Sequence, residues 1–395
     1  MNPALAIDLG FTSTEVAFFD EQGPVAIPLR GSPILLALNA EGMGLPSVVT
    51  VTTGGEVVAG QEAEAQFVNA PARTLTGVTR AIALEFDALS SARPAAWAGI
   101  EFAMSSDGGV ALQVDGNVYP PERLCAVLIE AARLGSARYL RVVPEAGFIA
   151  LPGAMSKRGR AVVAAAASAA GLDLRGIIPS VAAIGLALAA TPATGPYRAA
   201  ICRMGGGSFD VALAEVEHSR VRLLSHRFGA RGGVDLDTAI ADWVVSKVMA
   251  AHNVDLRGDR AAHRRLVKVA EEVKRELSRA EQTSINLPFV SFGPRGPVNV
   301  DENFTRADLD ALARPICDGM VAEAREALRE SGAGSVDHVV LVGGMCQVRA
   351  LRAGLKEVFG GAPLADFQPV GAIARGLALH AAGADRSLSI PRLAT

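Results

Sequence analysis

AICRMGGGSFDVALAEV, residues 200–216, is an apolar run, three glycines with a hydroxyl residue, and then a strand-like alternation. LAIDLGFTSTEVAFF, residues 5–19, has the same plan about half a chain earlier. Glycine at such a turn lets the backbone reach positive φ and swing its N–H groups inward, which makes an anion-binding concavity. Two such turns, one in each half, read as the two sides of one phosphate clamp and hence as a nucleotide-binding chain. Taken singly, Asp8-Leu9-Gly10 also fits an ordinary turn, and Gly205-Gly206-Gly207-Ser208 a bare tight turn. The two turns differ in charge, because Arg203 stands where the first has Asp8.

Working outward, the first turn opens a β-meander: strands at 5–8 and 15–19, a turn at Asp20-Glu21-Gln22-Gly23, and a third strand at 25–28. Residues 211–217, the pair His218-Ser219 and residues 221–225 repeat it. A duplicated two-lobed protein explains that offset better than a solenoid, whose period would be about 20–50 residues. TPATGP at 191–196 has the Pro and Gly of a connection, so the lobes are expected at 1–190 and 191–382, with a polar tail at 383–395. Helical composition marks 121–134 and 157–170 around a strand at 147–151. Asp235 suits the N-cap of a helix at 236–251. Leu266, Val269, Val273, Leu277 and Ala280 share one helical face. Helix 304–330, strand 338–341 and helix 370–382 complete an alternation that indicates an α/β architecture.

At 395 residues the chain exceeds the roughly 250–300 at which single cores stop growing. Half of it is hydrophobic with few aromatics and abundant alanine, which suits closely packed helices on sheets. The apolar stretches fall short of the roughly 18–20 residues a bilayer span needs, and no basic-then-apolar leader opens the chain. Four scattered cysteines, Cys125, Cys202, Cys317 and Cys346, read as buried free thiols in a reducing, cytoplasmic setting. Six isolated histidines give no zinc pattern, and a net charge of −3 gives no reason to expect nucleic acid or an anionic membrane as partner.

Two further segments carry chemistry. Glu271, Lys274, Arg275 and Ser278 can share one polar helix face, either as ligand contacts or as a solvated ion pair. Val-Val-Leu-Val-Gly-Gly at 339–344 is a buried strand ending in a bend, and ligands gather at such strand ends in open α/β sheets. A left-handed helix entry is the alternative reading of that bend.

In this order and spacing, the segments resemble the nucleotide-binding domain of the seventy-kilodalton heat-shock chaperones, the DnaK type, within the actin-like ATPase superfamily. AIDLGFTST is similar to the family's first phosphate loop and MGGGSFDVAL to its second. GGVDLD at 232–237, EEVKRELS at 271–278, and VVLVGGMCQVRALRAGLKEVFG at 339–360 resemble the segments around the adenosine. FIALPGAMSKRGRAVVAAAASAAGL at 148–172 and QPVGAIARGLALHAA at 368–382 follow the connecting units, so the likeness covers about residues 4–382. It implies a duplicated, two-lobed actin-like ATPase (ribonuclease H-like) α/β fold with a central nucleotide cleft. By position, it puts the phosphates of ATP or ADP on Gly10, Thr12, Ser13, Gly205, Gly206, Gly207 and Ser208, beside Gly233. Glu271 and Lys274 would hold the ribose, Arg275 and Ser278 the adenine, while Gly343, Gly344 and Gln347 border the nucleoside.

The departures from the family pattern cluster where the chemistry belongs. Arg203 replaces an Asp of the second loop, and Ser180, after Ile177-Ile178-Pro179, occupies the neighbourhood of an expected catalytic Glu. A phosphate-contacting Lys falls on Thr79, next to Arg80; Phe11 replaces a small hydroxyl residue; Gln347 stands for a base-stacking Arg. Asp8 and Asp210 remain as candidate catalytic acids, Asp8 also as a metal ligand, with magnesium left open. Phosphoryl transfer to water needs metal-balanced charge and a positioned nucleophile, so binding with weak or absent hydrolysis is expected. Arg203 could instead pair with Asp8 and close the site. The chain closes on one helix and a polar tail, which leaves no β-rich peptide-gripping domain in this reading. The expected role is a nucleotide-responsive module for an unidentified protein partner. The alternatives are an active ATPase with a chaperone or co-chaperone role, using Asp8, Asp210 and Asp235, and an actin-like filament protein.

Overall fold

The computed structural model describes residues 3–29, 44–67, 69–89, 97, 100–153, 155–193, 195–217, 220–367, 371–383 and 388–389. Expectations for His218-Ser219, for residue 194 of the 191–196 connection, for Val370 at the start of the closing helix and for most of the tail fall outside them. The rest forms an α/β fold of mixed sheets and helices.

Two sheets built on one strand plan dominate it. In the first, Leu5–Leu9 lies between parallel Ala146–Leu151 and antiparallel Ser13–Asp20, with Asp173–Pro179 and Gly23–Ile27 outside them. In the second, Tyr197–Met204 lies between parallel His338–Val342 and antiparallel Phe209–Glu217, with Leu364–Asp366 and Arg220–Gly229 outside them. Each glycine loop is thus a hairpin turn joining the central strand of its sheet to an antiparallel neighbour. Leu5–Leu9 is buried along its whole length, as expected of a strand covered on both faces.

The helices Ser180–Ala189 and Ala372–Ala381 pack on each other between the sheets. Ser180–Ala189 also covers strands of the second sheet, and Ala372–Ala381 covers strands of the first. Their faces are Val181, Ala182, Ile184, Ala374, Leu377 and Ala378, so the alanine content becomes close helix approach. At Gly376 a Cβ would overlap the carbonyl oxygen of Ala183. Only glycine permits that crossing distance.

Several elements differ from the sequence reading. Asp235 is the third residue of helix Gly233–His252 and not its cap. The carbonyls of Gly205 and Gly206 already accept the first helix amides, from Gly233 and Val234 at 3.1 and 2.8 Å, so the helix starts earlier. Phe304 lies in strand Gly296–Thr305, and the helix runs Arg306–Ser331 because Thr305 caps it, accepting from the amide of Asp308. Helix Arg260–Glu276 stops two residues before Ser278. The hairpin Gln282–Gly293 with Gly296–Thr305, and the small sheet Glu101–Met104, Val110–Val114 and Asn117–Tyr119, were not anticipated. All four cysteines are buried free thiols, as expected. No helix among the described residues is long and apolar enough to cross a membrane.

Candidate functional site

Both glycine loops and the Gly343-Gly344 bend meet at one place. The first loop is tied down when its Thr12 carbonyl accepts from the amide of Ser47, whose own carbonyl accepts from Gly77, each at 3.0 Å. The second loop folds on itself through Gly205 N–H to the Ser208 carbonyl at 3.0 Å. No described group accepts from the amides of Gly206 or Gly207. Backbone N–H groups left unengaged in such a turn are of the kind that forms an anion-binding concavity. Gly343 has φ +100 and ψ 158, a region open essentially to glycine alone, and it abuts the Met204 backbone. This conformation is not the left-handed helix entry.

Charge at the second loop is settled locally. Arg203 and Asp210 are cross-strand partners, and the guanidinium Nε donates to Asp210 Oδ2 at 2.6 Å, with Nη2 also on that oxygen. Nη2 further donates to Ser208 Oγ at 2.7 Å. Asp210 Oδ1 takes the Gly153 amide at 2.7 Å and lies 2.9 Å from His226 Nε2. Burial alone would raise Asp210, but Arg203 and His226 overcome it and hold the carboxyl at about 2. The pairing of Arg203 with Asp8 is therefore not the one formed. Asp8 faces Glu15 across its hairpin. Burial, reinforced by Glu15 and Asp210 and opposed by Arg203, pushes Asp8 up to about 8, so it is largely protonated at neutral pH.

Asp235, the third acid of the active-ATPase alternative, is also engaged. Its carboxylate accepts from the Gly232 amide at 2.7 Å and pairs with the buried Arg80 at 3.2 Å. Thr79 is buried in helix Val78–Ala83 and lines the same small space as Phe11, Gly207 and Ser208. Ser180 opens its helix fully buried, its Oγ without a hydrogen-bond partner among the described residues. The residue directly before Pro179 is Ile178, a core side chain and not an acid.

Glu271, Lys274, Arg275 and Ser278, expected at the nucleoside, run along one edge, half-buried to exposed. Lys274 is drawn onto Asp237 at 2.6 Å and the Gly233 carbonyl at 3.0 Å. Burial pushes Asp237 up to about 6 despite that ammonium. Glu271 pairs with Arg275 at 2.7 Å, the ion-pair alternative read from the spacing, and Ser278 Oγ donates to the Arg275 carbonyl. Gly344 opens onto free space and Gln347 is exposed beside it.

His226 was missed in the sequence. Strand alternation runs Val221, Leu223, Ser225 inward and would turn His226 out; a register shift opposite Leu213 reverses the phase. Further ties cross between the halves. Arg264, fully buried on helix Arg260–Glu276, donates to the carbonyls of Pro71 and Thr74 at 2.7 and 2.9 Å and lies over the Phe67 ring.

These features sit within a chain whose residues 4–385 match the model of the family described as Hsp70 protein.

Proposed function

We propose a reading that starts from family membership: the chain belongs to the Hsp70 family, and it works as a nucleotide-responsive binding module with weak or absent hydrolysis. The shared strand plan and the two helices between the sheets support the finer description as a duplicated, two-lobed actin-like ATPase fold. The lobes then divide near residues 1–190 and 191–382.

The residues fit an adenine nucleotide better than they fit a metal. The unengaged amides of Gly206 and Gly207 suit a phosphate, with Gly10, Thr12, Ser13 and Ser208 around it. Glu271 and Lys274 would hold the ribose, Arg275 and Ser278 the base, with Gly343, Gly344 and Gln347 beside the nucleoside. A bound nucleotide supplies a polyphosphate anion, and main-chain donors orient it. Magnesium favours carboxylate and water oxygens, but here Asp210 is saturated by Arg203, Gly153 and His226, and Asp8 is raised to about 8. Among the described residues no cluster of three or more His, Cys, Asp or Glu could hold a metal ion. Water activation through such an ion would need a free carboxylate, and Asp8, Asp210 and Asp235 are each already protonated or paired.

The observation that carries this reading is the Arg203–Asp210 pair, which places a cation and a spent acid at the phosphate loop. Losing one electrostatic stabiliser of a transition state slows turnover about 100–1,000-fold. Steady-state hydrolysis of ATP with magnesium should stay near background for the wild type. Turnover comparable to an active DnaK-type ATPase would reverse the reading in favour of the working enzyme. Gly153, Arg80 and Arg264 join the halves across the cleft, so occupancy would act on those ties and on the surface a protein partner meets.

A further inference from the structure

The Phe11 ring projects from the first glycine loop into the space between the second loop and the Gly77 turn. A Cβ on Gly207 or on Gly77 would overlap the Phe11 ring, and one on Gly206 would stand 3.1 Å from its Cδ1. The ring thus fills the gap bounded by the second phosphate loop on one side and the Gly77 turn on the other. The space left beside it, lined by Thr79, Arg80, Pro152, Gly207 and Ser208, is about 20 Å³, room for about one water and not for a phosphoryl group.

The second loop also gives this gap a direction. Gly205 meets the Gly343 bend at the nucleoside end, Gly206 meets Gly233 and Thr12, and Gly207 meets Phe11. A polyphosphate laid along the loop from a nucleoside at Gly343 would put its first phosphates by Gly205 and Gly206. Its terminal phosphate would arrive at Gly207, where the ring sits.

We infer that Phe11 sets the ligand class: the site takes an adenine nucleoside diphosphate and excludes the triphosphate by occupying the terminal phosphate position. This inference rests on the nucleotide-binding reading above. The family-like side chain at this position is a small hydroxyl residue, so Phe11→Ser opens the gap and adds a donor. Phe11→Leu keeps an apolar side chain on Gly77 and removes only the ring.

Calorimetric titration of the full chain with ADP and with ATP, in the wild type and both variants, tests the assignment, with thermal melts to verify folding. The wild type should bind ADP at least tenfold more tightly than ATP. Phe11→Ser should cut that preference below threefold by tightening ATP, with Phe11→Leu in between. Equal or tighter ATP binding by the wild type overturns the inference and leaves the nucleotide reading intact. An ADP preference that survives in a folded Phe11→Ser variant overturns the role of Phe11. Binding of neither nucleotide by the wild type removes both the inference and the reading beneath it. Should Phe11→Ser fail to fold, the wild-type comparison and Phe11→Leu still decide.

Discussion

Removing the Arg203 guanidinium would leave Asp210, fully inaccessible to solvent, with only the Gly153 amide and His226 to hold its charge. Breaking a buried pair from one side costs about 3–5 kcal/mol, because the remaining charge stays buried without compensation. Arg203→Met should lose that much stability in urea denaturation, and adding Asp210→Asn should recover a large part of it. A loss below about 1 kcal/mol would mean that the pair does not hold the loop. Asp8 makes a second residue-level prediction. Its folded pKa, about 8, lies above the 3.8 of an ordinary aspartate, so the folded state holds a proton that the unfolded chain releases. That stability is complete below about pH 4 and is lost as pH rises towards 8. Relative to Asp8→Asn, the wild type should lose about 2–4 kcal/mol between pH 5 and pH 8. Asp237, raised to about 6, titrates in both proteins and cancels from the comparison. A constant difference across that range would show that Asp8 is ionised in the folded protein.

At the scale of elements, the crossing of Ser180–Ala189 with Ala372–Ala381 joins the two sheets through one glycine. Replacing an exposed helical glycine with alanine gains about 1 kcal/mol in propensity. At Gly376 the new methyl meets the Ala183 carbonyl, so Gly376→Ala should instead lose about 1–3 kcal/mol in thermal or urea unfolding. Gly195→Ala, where a Cβ meets nothing, should stay within about 0.5 kcal/mol. A stabilised Gly376→Ala would show that the helices cross farther apart. The strands flanking both glycine loops were legible in the sequence because a buried apolar run followed by glycine is a local pattern. Element ends were less so, because neighbours distant in sequence supply the caps: Gly205 and Gly206 start the helix assigned to Asp235. The hairpin Gln282–Gly293 was hidden by its interior Pro288 and by Phe289 at φ +50, which breaks the alternation that announces a strand.

For the molecule as a whole, the sequence placed the loops in one site but could not supply its charge pairing. The sequence offered Asp8 as the partner of Arg203; the cross-strand register of Arg203 with Asp210 and the His226 phase change select Asp210. The same holds for Phe11, whose bulk was visible but whose seat between Gly77 and Gly207 depends on how the halves meet. In the proposed reading the anion donors are amides, because the acids beside them are already spent on a guanidinium, a histidine and a proton. Calorimetry of ADP binding with and without magnesium, on the wild type and on Arg203→Asp, tests that description most directly. The wild-type dissociation constant should change less than twofold on adding magnesium, and that of Arg203→Asp should tighten at least tenfold. A wild type that binds ADP only when magnesium is present would contradict it.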